Sequence, residues 1–248
     1  MSALLHSSII FFLFRGMKIF KYCPCEFNPN SGNRIIRMGS TKYFRDNYNG
    51  EADEDLINDW LEGLSMKIDG DNNRFVRKIA PDSYIFCAAT EQIPMTDATN
   101  PLDPSYKSCY CISNAENFAR ELGRHALDHI NETFVIEDFH PIAQAFIADY
   151  MKANKIDFSS FKNELKIELH WDIVHYKKGE IPHDAIKSLQ FKFWVSSYLK
   201  LKKFDVQKEY RISFTIYHPN SNQTFDIIKP DILIRFNNIM NFIEPLNE

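Results

Sequence analysis

Val206-Gln207-Lys208-Glu209-Tyr210-Arg211-Ile212-Ser213-Phe214-Thr215-Ile216-Tyr217 reads as a strand, with a Gln-x-Glu pair and then an arginine at its mouth. Residues two apart on a strand point to the same face, so Gln207 and Glu209 can meet one ligand. A fixed carboxylate suits the stabilisation of an oxocarbenium-like sugar centre in glycosyl transfer. A neighbouring amide can orient the attacking acceptor. The same residues also suit an ordinary solvated strand end, with Glu209 paired to a nearby lysine or arginine. The residues alone leave both readings open.

Strand and helix signals continue on both sides of this stretch. Asp231 to Phe236 and Phe225 to Ile228 read as strands, with Asn220-Ser221-Asn222-Gln223 as the turn before them. Leu165 to Leu169 and Asp172 to Tyr176 read as two further strands, and Ala185 to Leu201 as a helix. Upstream, Lys18 to Tyr22 alternates polar and apolar residues, and Arg34 to Met38 reads as a second strand ended by Gly39-Ser40. Tyr84 to Ala88 and Ser108 to Ile112 are compact apolar strands, separated by a Pro-, Thr- and Asn-rich loop from Pro94 through Pro104. Leu56, Trp60 and Leu64 recur at helical spacing. Ser113-Asn114-Ala115-Glu116 carries a helix-start signal, followed by the stripe Phe118, Leu122, Ala126 and Ile130. A second helix follows His140-Pro141. With no internal repeat and no low-complexity linker, the expectation is one α+β domain, a mixed or antiparallel sheet flanked by a few helices.

The chain has 248 residues, 44% apolar and 25% charged, enough for one large domain with its own core. Twenty-one phenylalanines predict an aromatic-rich core. A net charge of −4 with both signs scattered argues against general nucleic-acid binding. Five cysteines cannot all pair internally, and that favours a reducing, cytoplasmic setting. The apolar run Ile9 to Phe14 is too short to span a bilayer, so no membrane partner is expected. It also lacks the flanks of a secretory signal. Residues 1–16 therefore read as an N-terminal extension ahead of a globular domain over 17–248.

Other chemistry is weakly signalled. Cys23-Pro24-Cys25 and Cys109-Tyr110-Cys111 offer four thiolates, but one intervening residue is a poor bite for zinc, and no metal is expected. His125 and His129 share a helix face without the glutamate of a zincin motif. Asp69-Gly70-Asp71 lacks the remaining ligands of a calcium loop and reads as a solvated turn. The sequence contains no nucleophile elbow, P-loop or dinucleotide fingerprint.

The Gln207-x-Glu209 pair followed by Tyr210-Arg211-Ile212 resembles the Glu/Gln-x-Glu motif of ADP-ribosyltransferases. Gly39-Ser40-Thr41 is similar to part of that family's Ser-Thr-Ser motif, with Lys42 in place of the last serine. The chain is also similar to a widespread group of uncharacterised bacterial proteins. That group has a Lys/Arg-Tyr strand, a Gly-Ser/Thr…Phe-Arg/Asn-Asp segment and a terminal Glu/Gln-x-Glu-Tyr-Arg. Here these are Lys21-Tyr22, Gly39-Ser40…Phe44-Arg45-Asp46 and Gln207 to Arg211.

The resemblance implies an enzyme that uses NAD, a bacterial toxin or phage-defence effector, acting on a macromolecular acceptor. It implies Glu209, Gln207 and Ser40 as catalytic residues: Glu209 stabilises the ribosyl cation, Gln207 orients the acceptor, and Ser40 places the nicotinamide ribose or supports Glu209. For NAD binding it implies Tyr22, Tyr43 or Phe44 against the nicotinamide, and Arg37 or Arg45 near the phosphates, with Arg211 alongside. The alternative is a non-catalytic protein- or nucleotide-binding module on the same scaffold.

Overall fold

Strict alternation along Glu209–His218 sets the architecture. Tyr210, Ile212, Phe214 and Ile216 point to one face and are at most 1% exposed. Glu209, Arg211, Ser213 and Thr215 point to the other and are at most 9% exposed. A strand buried on both faces sits at the centre of its sheet, and its polar face needs partners other than water.

The computed structural model describes residues 16–46, 64–68, 74–78, 82–93, 105–177, 199–201, 206–244 and 246. Its early elements are strands β1 (Ile19–Cys23) and β2 (Ile35–Ser40), helix α1 (Thr41–Asp46), and strands β3 (Leu64–Ile68), β4 (Arg74–Lys78), β5 (Tyr84–Ala89) and β6 (Ser108–Ile112). Helices α2 (Ala115–Thr133), α3 (Pro141–Asn154) and α4 (Phe158–Glu164) follow. Strands β7 (Lys166–Ile173), β8 (His175–Lys177), β9 (Leu199–Leu201), β10 (Glu209–His218), β11 (Gln223–Phe225), β12 (Asp231–Arg235) and β13 (Ile243–Glu244) complete the order.

Nine of the described strands form one curled antiparallel sheet with the helices beside it, an α+β fold. β10 pairs with β7 on one edge, and with β5 and then β11 on the other. The sheet forks at β5. Its outer edge carries β2 at Gly39↔Ile85 and Ser40↔Tyr84, but β1 at Phe20↔Ala89. One arm continues from β1 to β6 and β13, the other from β2 to β12. Phe86, Cys87 and Ala88 lie where the two arms part.

Helix α2 covers the apolar face of the sheet through Phe118, Ala119, Leu122, Ala126 and Ile130. Phe118 packs against Phe86 and Phe236 at centroid distances of 5.3 and 5.5 Å. Each such ring contributes about 1.5–3 kcal/mol by burial. Gly123 lets α2 approach β7 closely: a Cβ there would lie 2.9 Å from Leu169 Cδ2.

Several boundaries differ from those read in the sequence. α2 is capped by Asn114, whose side chain accepts the Asn117 N–H at 3.0 Å, and not by Ser113. The segment read as two strands over Leu165 to Tyr176 is one eight-residue strand, β7, followed by the short β8. Thr41 onward forms α1, a helix that the sequence pattern did not reveal. Ser40 caps it by accepting the Tyr43 N–H at 2.9 Å. Helix α4, capped by Asp157, was likewise missed. Phe225 closes β11, and Ile227 makes only an isolated bridge to Phe139. Leu64 opens a strand rather than ending a helix, and Leu199–Leu201 is a strand. The rest of the helix read at Leu56 to Leu64, the acidic turn at Asp69, the Pro94 loop and residues 185–198 of the helix read at Ala185 to Leu201 lie outside the described residues.

Candidate functional site

Where the arms diverge, the sheet cannot close on itself, and a cavity of about 270 Å³ opens over β5. Glu209 and Arg211 line it from β10, Gln207 from the turn before that strand, Lys21 and Tyr22 from β1, and Arg37 from β2. Tyr43 and Phe44 enter from α1. Fold and sequence thus bring Gln207, Glu209, Arg211, Tyr22, Arg37, Tyr43 and Phe44 to one cleft. Ser40 is placed differently. It is 1% exposed, and its hydroxyl serves the first turn of α1 while its own N–H donates to the Pro230 carbonyl at 2.8 Å. Arg45 belongs to α1, but its side chain lies outside the described residues.

The carboxylate at the centre of the site is held by its own strand. Arg211 Nε donates to Glu209 Oε1 at 2.6 Å and Nη2 to Oε2 at 3.4 Å. The two side chains are 2% and 6% exposed. They are two residues apart and therefore on one face of β10. Burying two charges is costly, so such a pair persists where each charge compensates the other. The pairing fixes the orientation of the Glu209 carboxyl group on the cavity wall.

Gln207 reaches the cavity by another route. β10 begins only at Glu209, and Gln207 lies in a short turn before it. Between them Lys208 adopts φ 44°, a left-handed conformation that costs an L-residue about 1–2 kcal/mol. The Thr90 N–H and hydroxyl both donate to the Lys208 carbonyl, at 2.7 and 3.0 Å, and hold that turn. Pleat alternation alone does not place Gln207 beside Glu209; a kinked strand start does.

The aromatic side of the cavity is equally constrained. The Tyr22 hydroxyl donates to the Ile93 carbonyl at 2.9 Å and accepts the Ile93 N–H. Burial pushes its pKa well above the usual tyrosine value, so it remains a neutral phenol. Phe44 lies on Gly39, where a Cβ would come within 2.9 Å of its Cζ. Tyr43 meets Phe44 edge-on at 5.7 Å and carries the Arg37 guanidinium over its ring at 5.6 Å. Arg37 Nε also donates to Asp231 Oδ2 at 2.7 Å. These contacts fix the lip of the cleft without closing it.

Sequence reasoning marked Lys21 only as part of the Lys-Tyr motif and gave Cys87 no place in the site. Lys21 Nζ donates to the Cys87 carbonyl at 2.8 Å and sits 4.8 Å from the Phe86 ring centroid. It therefore bridges β1 and β5 at the fork. The Lys-Tyr dipeptide was visible in the sequence, but nothing local tied it to Cys87, 66 positions away. Burial pushes the Cys109 thiol up to about 12, which keeps it protonated. Among the described residues no three His, Cys, Asp or Glu side chains converge on one point as a metal site would need. No described helix is long and apolar enough to cross a membrane. Comparison with protein-family models, curated proteins and solved structures finds no match to this chain.

Proposed function

We propose that this protein is an ADP-ribosyltransferase-like enzyme that takes NAD in the cleft at the sheet fork. The observation that supports the reading is the buried Glu209 carboxylate, oriented by Arg211 on the wall of an aromatic-lined cavity. NAD supplies a glycosidic bond to a cationic ring, which leaves with its bonding pair as neutral nicotinamide. Glu209 faces the positive charge that develops at the sugar carbon, and it does so in a partly dry site where electrostatic stabilisation is strong. Gln207 orients the acceptor, whose nucleophilic atom bonds to that carbon and releases its proton to solvent. Tyr22, Tyr43 and Phe44 supply the aromatic lining against which the leaving ring packs. The acceptor is a macromolecule and the setting cytoplasmic; a role as toxin or phage-defence effector rests on the motif resemblance.

One observation favours a different reading. A carboxylate already neutralised by Arg211 presents a weaker field to a cation, as suits a module that binds a nucleotide or protein without turnover. Incubating the purified full chain with labelled NAD and a cell lysate separates the two. An enzyme releases nicotinamide or transfers label, and Glu209→Gln lowers the rate by about a hundred- to a thousand-fold in protein shown by circular dichroism to remain folded at the assay temperature. Equal rates for wild type and variant, or binding without turnover, rule out the catalytic reading.

A further inference from the structure

We infer that the cavity at the sheet fork is a thiol-modification site, in which Lys21 draws in small anionic disulfides and Cys87 captures them as mixed disulfides. The inference goes beyond the NAD reading and does not depend on it. Cys87 lies on β5, is partly exposed and lines the cavity of about 270 Å³. Its cross-strand partner on β10 is Arg211, so the thiol shares a face of the sheet with Arg211 and Glu209. Among the described lining residues Lys21, Arg37 and Arg211 stand against one carboxylate, Glu209, which Arg211 already holds. Arg37 is bonded to Asp231. Lys21 has no carboxylate partner among the described residues: Nζ donates to the Cys87 carbonyl at 2.8 Å and lies 4.8 Å from the Phe86 ring centroid. An uncompensated ammonium group therefore stands beside the thiol on the wall of an open cavity.

Reactive cysteines occupy electropositive, partly exposed surroundings, where the attacking thiolate is stabilised. The other thiols lack one or both conditions. Cys23 and Cys111 are buried, and burial keeps Cys109 protonated. Cys25 is exposed, but it precedes Glu26 and lies outside the cavity lining. A cleft lined by one sign of charge concentrates ions of the other sign and raises association rates by about 10- to 1,000-fold. A disulfide that carries carboxylates is thus drawn toward Lys21 and Arg37, and its S–S bond comes to Cys87. The Cys87 sulfur attacks one sulfur of that bond. A new S–S bond forms to Cys87, the original one breaks, and the departing half leaves as a thiolate that takes up the proton released from Cys87. The disulfide is the oxidant: its departing half ends reduced and Cys87 ends oxidised. The captured half fills the cleft and excludes other occupants until a reducing thiol restores Cys87 by the reverse exchange.

Treating the full chain with glutathione disulfide, which is anionic, or cystamine, which is cationic, and following each cysteine by peptide mass mapping tests this. Cys25 is the internal reference for the intrinsic reactivity of the two reagents. Relative to Cys25, Cys87 is expected to react about tenfold faster with glutathione disulfide than with cystamine. Raising the ionic strength from about 0.01 to about 1 M shortens the screening length from roughly 30 to 3 Å and narrows that preference. Lys21→Gln slows capture of glutathione disulfide at Cys87 by about tenfold without slowing cystamine. Modification of Cys25 ahead of Cys87 by glutathione disulfide overturns the inference. So does equal preference for the two reagents, or a preference that persists unchanged at high salt or in Lys21→Gln. The wild-type series decides the matter even if the variant fails to fold. None of these outcomes bears on the NAD reading, which stands or falls on nicotinamide release.

Discussion

The two ends of β10 bury the same kind of ionisable partnership and use it in opposite ways. At its start, Glu209 and Arg211 pair along one strand and face a cavity. At its end, His218 is 0% exposed and donates from Nε2 to Glu164 Oε2 at 2.9 Å, while Nδ1 accepts the Ser221 N–H at 3.2 Å. The ring lies stacked on Phe161 at 5.1 Å and edge-on to Tyr150 at 4.6 Å. Tyr150 and Asn220 add hydrogen bonds to the same Glu164 oxygen. The histidine end ties the β10–β11 hairpin to α3 and α4. The glutamate end is compensated but open to a ligand. Burial of a charged group is thus common to both ends; what sets the glutamate end apart is the unfilled space beside it.

Removing a partner should break this contrast most sharply at Arg211. Arg211→Ala leaves the Glu209 carboxylate buried and unpaired by its strand neighbour, at a cost of about 3–5 kcal/mol. Denaturant unfolding checks it, and a loss below about 1 kcal/mol would mean that the pair is solvated. His218→Ala should cost about 2–4 kcal/mol through lost packing between Phe161 and Tyr150. It should leave ligand affinity at the cleft unchanged in titration, so a large loss of binding would join the two ends into one unit.

The histidine end also carries a pH signature. Hydrogen bonds, first from His218 and then from Tyr150, hold the Glu164 carboxyl below the usual glutamate range. A group with a depressed folded-state pKa contributes stability above its unfolded value and loses it as pH falls through the folded one. Stability should therefore drop below the ordinary glutamate range, and Glu164→Gln should flatten that limb in unfolding curves taken from neutral to acid pH. An unchanged slope would remove Glu164 from the account. The smallest effect is expected at Lys208→Gly. Relief of the left-handed strain outweighs the glycine's entropy and raises stability by about 0.5 kcal/mol. The same change should weaken ligand binding if the turn positions Gln207.

Much of the sheet was legible because its strands carry local signals. Ser108–Ile112 was read to the residue, and β5 and β12 to within one, since short apolar runs bounded by polar loops have few alternatives. Short helices were not. α1 and α4 have six and seven residues, and two turns of helix give too little periodicity to see; their caps, Ser40 and Asp157, became evident only with their hydrogen bonds in place. Of the site, the Gln207–Glu209–Arg211 grouping stood out on spacing, but Arg211 read as a ligand-binding residue and is found clamped on Glu209. Ser40 stood out by motif and is found supporting α1.

The sequence by itself determined the pleat of β10, and with it the fact that Glu209 and Arg211 share a face, because side-chain alternation is a property of the chain's own geometry. Only the tertiary structure decided that this face is buried and that a cavity opens beside it. That depends on where β1 and β2 leave β5, through pairings such as Phe20↔Ala89 and Gly39↔Ile85 that join distant parts of the chain. Such a divergence has no local energetic signature. It emerges when two arms of one sheet each find their own partners and leave space between them.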